Sequence, residues 1–425
     1  ASFSADVSPP LGHPLCGGWI EPVRGYDDPL FIKGVVLLGM GAPVVLASVD
    51  WCGLRNEAYL IWRKALAEAA HTVPANVALQ CIHPHNAPFV DVGAQKLLDT
   101  IPGAPLHLDL KFFEKTVQTT AEALRRSLAR THRFTHIGLG QAKIDQVASN
   151  RRILGPDGKV KFTRTSATKD PKVRNEPEGL IDPILRTLSF WNGEAPLAAL
   201  HYYATHPMSY YGDGRVSADF CGLAREKRHQ DDPKVFQVYF TGCAGNVTAG
   251  KYNDGSKENR GILRDRIYAG MTSAWQATKR HAVEEFQWRI LPVRLPPRTE
   301  AVFGEPESRK AMADIKATKA KRINSALHVA WLQRNHIPID LTCLDFGPAC
   351  VLHLPGEPFI EYQLKAQGLR KDDFVCVAGY GDDGPGYLPT KIGYWEGGYE
   401  PTVALSAPES EEILHGALTK ILRRG

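Results

Sequence analysis

Two apolar runs in this chain stop in the same way, and that shared ending limits the folds open to it. Residues 77–82 run into His83-Pro84, and residues 197–205 run into His206-Pro207. Apolar, β-branched stretches of this length read as buried strands. Proline has no N–H to give to a sheet ladder, so each strand is expected to end where its histidine leaves the sheet. The first run continues to His85. Residues two apart on extended backbone share a side, so His83 and His85 are expected to project together from the mouth of a sheet, where open α/β folds place their chemistry. Either both imidazoles bind a metal, or one binds it while the other handles a proton. The plain alternative is a pair of surface-loop histidines.

Other strand-like runs end in similar chemistry. Residues 349–354 lead into Pro355-Gly356-Glu357-Pro358, which puts a carboxylate where a strand gives way to a helix. Residues 235–241 lead into a glycine-bearing turn that carries Asn246 and Thr248, and residues 373–379 into Gly381-Asp382-Asp383 and then Tyr387. Two histidines and a carboxylate with one position left open form a catalytic zinc pattern, and mixed nitrogen and oxygen donors suit Zn²⁺ better than Mg²⁺ or Ca²⁺. Singly, each has an ordinary explanation. His206 reads as a strand-terminal histidine and Glu357 as a carboxylate stabilised by a helix dipole. The 242–250 turn reads as a tight turn or an anion nest, and Tyr387 as an interfacial aromatic. Recurrence at successive strand ends favours one shared site.

Between these points the sequence predicts a hairpin at 34–49, helices at 55–71, 109–130, 219–228 and 257–280, and a strand at 286–295. It also predicts one long helix at 305–333, a hairpin at 338–354, a helix at 358–369 and a terminal helix at 408–423. Asp109 is placed to cap the second helix. Residues 135–185, polar and rich in Gly, Pro and Lys, read as a long excursion that forms a lid or rim. Strand pairs mixed with helices predict the α/β class, a mixed β-sheet core flanked by helices. No internal repeat and no linker is visible, so residues 1–425 are expected to form one catalytic unit.

Bulk properties exclude several classes. A net charge of +5, from 51 basic and 46 acidic residues, is too small and too dispersed for a nucleic-acid binder. The densest basic stretch, 310–322, contains acids at helical spacing and reads as a solvated helix face. No run is long enough to span a membrane. The eight cysteines show no Cys-x-x-Cys spacing. Cys81, Cys343 and Cys376 lie in strand-like runs and read as buried thiols, which leaves the redox compartment open.

With these residues in view, most of the chain resembles the neutral, non-lysosomal ceramidases, zinc amidases that hydrolyse N-acylsphingosine. Asp6-Val-Ser-Pro-Pro10 is similar to the family's opening segment, and Ser48-Val-Asp50 to its Ser-Ala-Asp strand end. Cys81-Ile-His-Pro-His-Asn-Ala-Pro88 is similar to its Thr-His-Thr-His-Ser-Gly-Pro, the most specific match. Ser149-Asn150-Arg151 resembles Ile-Asn-Arg-Ser. Ala204-Thr-His-Pro207, Leu354-Pro-Gly-Glu357 and Gly386-Tyr387 resemble three further ligand segments. The resemblance implies the neutral-ceramidase catalytic fold, with Zn²⁺ held by His83, His206, Glu357 and Tyr387. It also implies a catalytic His85 and an active-site Arg151.

The departures are local. Thr248 stands where the family has its catalytic serine, and Asn246 replaces an aspartate. The interval from Tyr387 to Glu396-Gly397-Gly398 is shortened, so the family's second catalytic tyrosine is expected at Tyr394, with Trp395 as a looser candidate. No C-terminal immunoglobulin-like domain and no lipid-docking insertion is expected. The substrate implied is therefore a small, polar molecule and not ceramide itself. The resemblance implies a secreted or periplasmic location as an expectation, and the start at Ala1 without Met fits either a removed leader or a trimmed chain.

The expected chemistry is zinc-dependent hydrolysis of an amide or related acyl bond by metal-activated water. His85 would move the proton, and Arg151 and the Thr248 turn would stabilise the oxyanion. An esterase, lactonase or sugar-directed hydrolase on the same scaffold is a second reading. An inactive metal-bearing binding protein is a third.

Overall fold

The structure is a computed structural model that describes residues 1–424. Strand pairing repeats three times along the chain. In each repeat an outer strand pairs antiparallel with the first arm of a hairpin. The second arm leads through a helix to a strand that pairs parallel with it.

In the first repeat the order is Ser2–Asp6, Phe31–Leu37, Val44–Val49, helix Asn56–Ala69 and strand Val77–Cys81. In the second it is His136–Lys143, Ile184–Asn192, Ala195–Tyr203, helix Asp219–Asp231 and strand Phe236–Thr241. In the third it is Gln287–Val293, Ile339–Asp345, Ala349–His353, helix Ile360–Leu369 and strand Phe374–Ala378. The mixed β-sheet core consists of three larger sheets, with smaller two-stranded pairings beside them, and the second gains an edge strand, Lys279–Ala282.

The alternation of side chains along each strand explains how the sheets pack. Val35, Leu37, Val44 and Leu46 face the same core as Leu188, Phe190, Leu200, Val238 and Phe240 of the second sheet and Leu344, Val351 and Cys376 of the third. The intervening residues turn outward to the helices. Val45, Ala47, Leu79 and Cys81 meet Trp62 and Leu66, and Leu341, Cys343 and Leu352 meet Tyr362 and Leu418. Both faces are covered, so strands such as Val44–Val49 are buried throughout.

Asp109 caps the helix Leu110–Ser127 by accepting from the N–H groups of Lys111 and Phe112. The helix predicted at 305–333 is two helices, Glu305–Ala313 and Lys319–Arg334. The first ends at Asp314. Thr318 starts the second by accepting from Lys321 N–H, and His328 Nδ1 then lies 3.0 Å from Ser308 Oγ across the pair. The 135–185 excursion holds the strand His136–Lys143, a small hairpin at Arg152–Leu154 and Val160–Thr163, and a short helix Pro171–Asn175. Its anchor is the fully buried Arg164, which donates to the carbonyls of Asn150, Val173, Glu176 and Pro177. These bonds pin the segment.

Among the described residues no helix is long and apolar enough to cross a membrane.

Candidate metal centre

Each parallel pair sends both of its C-terminal ends toward the same region, because parallel neighbours finish on the same edge of a sheet. The first sheet delivers Asp50-Trp51-Cys52 and His83 to His85. The second delivers His206 and the 242–250 turn. The third delivers Glu357 and the stretch from Tyr380 to Tyr387.

His83 and His85 do not converge by strand alternation. The strand ends at Cys81, and His83 has a φ of +74°, a left-handed conformation that is uncommon for a residue with a side chain. It is held there by its own N–H, which donates to Trp51 O, and by Nδ1–H, which donates to Cys52 O at 2.5 Å. His206 is fixed in a similar way: its N–H donates to Val247 O and its Nδ1–H to Ala244 O at 2.6 Å. A ring that spends its Nδ1 proton on a carbonyl presents Nε2 as a bare lone pair.

Both lone pairs face the same carboxylate. Glu357 Oε2 lies 3.4 Å from His83 Nε2 and 3.1 Å from His206 Nε2. His83, His85 and His206 can each place a ring nitrogen within 4.8 Å of the others. Two imidazole lone pairs and a carboxylate at such distances repel unless a positive charge lies among them. The spacing also matches the edge of a tetrahedron with metal–ligand bonds of about 2.0–2.1 Å, which is about 3.3 Å.

The titration behaviour has the same cause. Burial alone would raise the Glu357 carboxyl, but His83 and His206 overrule it and hold it well below its usual 4.5. Burial lowers His83, yet the Glu357 carboxylate more than offsets this and the ring is raised above 6.5. His206 is lowered to about 4 by burial, only partly countered by Glu357.

Glu357 and Tyr387 are partners in a two-residue parallel bridge, so the tyrosine is carried beside the carboxylate. Its hydroxyl accepts from Arg151 Nη1 at 3.1 Å, and its ring stacks on His206 at 6.3 Å. Arg151 is buried. Burial works against its charge, but Tyr387 and Glu400 more than restore it, so the guanidinium is held more firmly cationic than usual. His85 is half-buried, with Nε2 at 3.3 Å from His83 Nε2 and Nδ1 at 3.3 Å from Cys16 Sγ. Burial lowers the pKa of His85.

Two of the sequence-nominated site residues, Thr248 and Tyr394, are placed differently. Thr248 is fully buried beside the centre, but its hydroxyl accepts from Gly250 N–H at 3.2 Å and holds the turn. Asn246 is also structural: it donates to Glu361 and accepts from Ile360 N–H, tying the turn to the start of the helix Ile360–Leu369. Tyr394 lies on the short helix Lys391–Glu396 with its hydroxyl on Ser406 O and its ring near Arg298.

The tyrosine brought to Arg151 is Tyr399, whose ring lies 5.2 Å from the guanidinium and 5.8 Å from the Tyr387 ring. Gly397 and Gly398, at φ +77° and +91°, make the turn that swings it inward. Arg152 pins the far side by donating to Glu396 and Glu400. The Gly-Gly pair was the available signal for Tyr399. Tyr380, also missed, packs its ring on His83 at 4.5 Å and sets its hydroxyl 3.3 Å from His206 Nδ1. Only Gly379 and Gly381 on either side mark it in the sequence.

No known family profile matches the chain, and no curated protein is detectably similar in sequence. Solved structures with the same fold include neutral ceramidase from Pseudomonas aeruginosa, at a TM-score of 0.69 and 17% identity over 99% of this chain and 73% of that one. Another is a ceramidase complexed with C2, at a TM-score of 0.70 and 17% identity over 99% of this chain and 74% of that one. At this identity the likeness is one of fold.

Proposed function

We propose that this chain is a zinc-dependent hydrolase of an amide or related acyl bond in a small substrate. The observation that carries the reading is the triangle of His83 Nε2, His206 Nε2 and Glu357 Oε2, with both Nδ1 atoms committed to backbone carbonyls. Those three side chains, with Tyr387 beside Glu357, would hold the ion. When bound, such a cation acidifies water and polarises a scissile carbonyl.

The remaining work falls to the chain's own groups. His85 faces the same space and suits delivery of a proton to a leaving nitrogen or oxygen. Arg151 is aimed by Tyr387, and as a fixed cation in a water-poor site it suits stabilisation of a developing oxyanion. The Thr248 hydroxyl accepts from Gly250 N–H and helps to shape the turn, and this reading takes its nucleophile from water, with no covalent acyl-threonine step. Half-exposed Tyr211 and Tyr399 stand next to His85 and Arg151, a rim that fits the flat or apolar part of a compact substrate.

Metal analysis of the purified protein and a panel of N-acyl amides, esters, lactones and glycosides, with zinc added, test this reading. Amide turnover is expected, and His83→Ala should abolish both stoichiometric metal and turnover. A His83→Ala protein that keeps both overturns the ligand set. Turnover of esters or lactones alone would favour the esterase reading. Bound metal with no hydrolysis would favour a binding protein, which the structural use of Asn246 and Thr248 supports.

A further inference from the structure

Beside the first centre lies a second cluster, which joins His85 to two thiols that the proposed hydrolysis does not use. Cys16, Cys52 and His85 place two sulfurs and a ring nitrogen within 4.8 Å of one another. Cys16 Sγ is 3.3 Å from His85 Nδ1, the nitrogen turned away from His83. Both cysteines are free and buried.

The three donors come from separate segments, yet backbone hydrogen bonds clamp them together. Cys16 N–H donates to Ala87 O and Cys52 N–H donates to Pro88 O, each at 2.8 Å. The stretch just after His85 is therefore gripped by both cysteine segments. Cys16 itself is held at a φ of +45°, a conformation that costs free energy for a residue with a side chain and is found mainly at functional sites.

We propose that Cys16 Sγ, Cys52 Sγ and His85 Nδ1 form a second cation site, for zinc or a cation of similar softness, with a fourth position left open. Two thiolates and one imidazole are a recurrent zinc donor set, and tetrahedral bonds of about 2.3 Å to sulfur and about 2.0–2.1 Å to nitrogen put the donors about 3.6–3.8 Å apart. The observed spacing needs only small side-chain adjustment to reach this. Binding at Nδ1 leaves the His85 proton on Nε2, aimed at His83 and the first centre. The second cation therefore sets His85 as a donor toward the reaction. The site stands on its own three donors, and only the setting of His85 as a donor rests on the hydrolase reading.

Cobalt is the probe. The full chain is stripped with chelator under reducing conditions and titrated with Co²⁺, with metal content read by mass spectrometry. Wild type is expected to bind two equivalents and to show the near-ultraviolet thiolate-to-cobalt charge-transfer band. Cys16→Ser with Cys52→Ser should bind one equivalent without the band. His206→Ala with Glu357→Gln should keep one equivalent and the band, so failure of the first site reads separately from failure of the second. Should the serine pair fail to fold, X-ray absorption of zinc-loaded wild type serves instead, with a sulfur shell at about 2.3 Å expected. Cobalt bound with no thiolate band, zinc with no sulfur shell, or a Cys16–Cys52 disulfide that persists under reductant overturns the proposal.

Discussion

Gly245 offers a sharp test of how the centre is held. A Cβ at this position would meet the carbonyl oxygen of Glu357 at 2.3 Å and its carbonyl carbon at 3.0 Å. A tolerable carbon–oxygen contact is about 3.3 Å, so Gly245→Ala must push the turn and the Glu357 backbone apart by about 1 Å. Local repair is blocked because Gly245 N–H donates to Pro358 O at 2.9 Å and His206 Nδ1–H donates to Ala244 O at 2.6 Å. The same displacement therefore reaches two members of the triangle. A misplacement of about 1 Å in a preorganised site costs about 10²-fold in rate, and the added methyl costs about 1–3 kcal/mol of stability. Zinc affinity by chelator competition, turnover on the best substrate of the acyl panel, and thermal melting read the three effects. Gly140→Ala is the control. Its Cβ would lie 1.9 Å from Ala274 O, where the helix Lys257–Gln276 packs on the second sheet, so it should lower the melting temperature and leave zinc affinity unchanged. A Gly245→Ala protein with wild-type metal affinity and turnover would refute the idea that this close approach positions Glu357.

Three further outcomes follow from the geometry. Asp50 is wholly buried and accepts from Arg225 at 2.6 and 2.8 Å. Arg225→Met should cost about 3–5 kcal/mol in urea unfolding by stranding a carboxylate, and adding Asp50→Asn should recover much of that; no recovery would refute the stranded-charge account. Burial holds the Asp91 proton up to about pH 6, against 3.8 for an unperturbed carboxyl. The native chain thus binds more protons than the unfolded one in this window, and stability falls as pH rises through it, by up to about 3 kcal/mol. Asp91→Asn should flatten that part of the stability–pH curve, and an unchanged slope would refute the assignment. Tyr399→Leu removes a cation–π contact with Arg151 worth about 0.5–2 kcal/mol, so kcat/KM should fall by about 2–30-fold. Tyr394→Phe should cost about 1 kcal/mol of stability with kcat/KM within a factor of about two; the reverse pattern would return the role to Tyr394.

Local chemistry made much of the chain legible. Apolar runs closed by proline or glycine marked the strands, and Asp109 marked the start of its helix. The same logic nominated His83, His206 and Glu357, because each follows a strand that the pattern already located, whereas Tyr387 entered as a ligand through the family resemblance. Arg151 came from a motif resemblance, and its surroundings were unreadable, since Tyr387 and Glu400 lie far along the chain. The long helix at 305–333 was misread because its apolar spacing continues across the break, and only the Thr318 cap marks the second start.

Sequence alone missed the edge strands Ser2–Asp6 and Lys279–Ala282, but it located the hairpin arms and parallel strands of the three larger sheets to within a few residues, and the histidines and carboxylate that follow them. These depend on neighbours a few residues apart. Tertiary structure decided that the strands form three equivalent sheets, each contributing one parallel pair to a common centre, because strand pairing joins residues whose separation no local pattern encodes. It also placed Tyr399, not Tyr394, beside Arg151, through two left-handed glycines and the grip of Arg152 on Glu400. And it brought Cys16 and Cys52 to His85, because backbone hydrogen bonds to Ala87 and Pro88 draw distant segments against one loop.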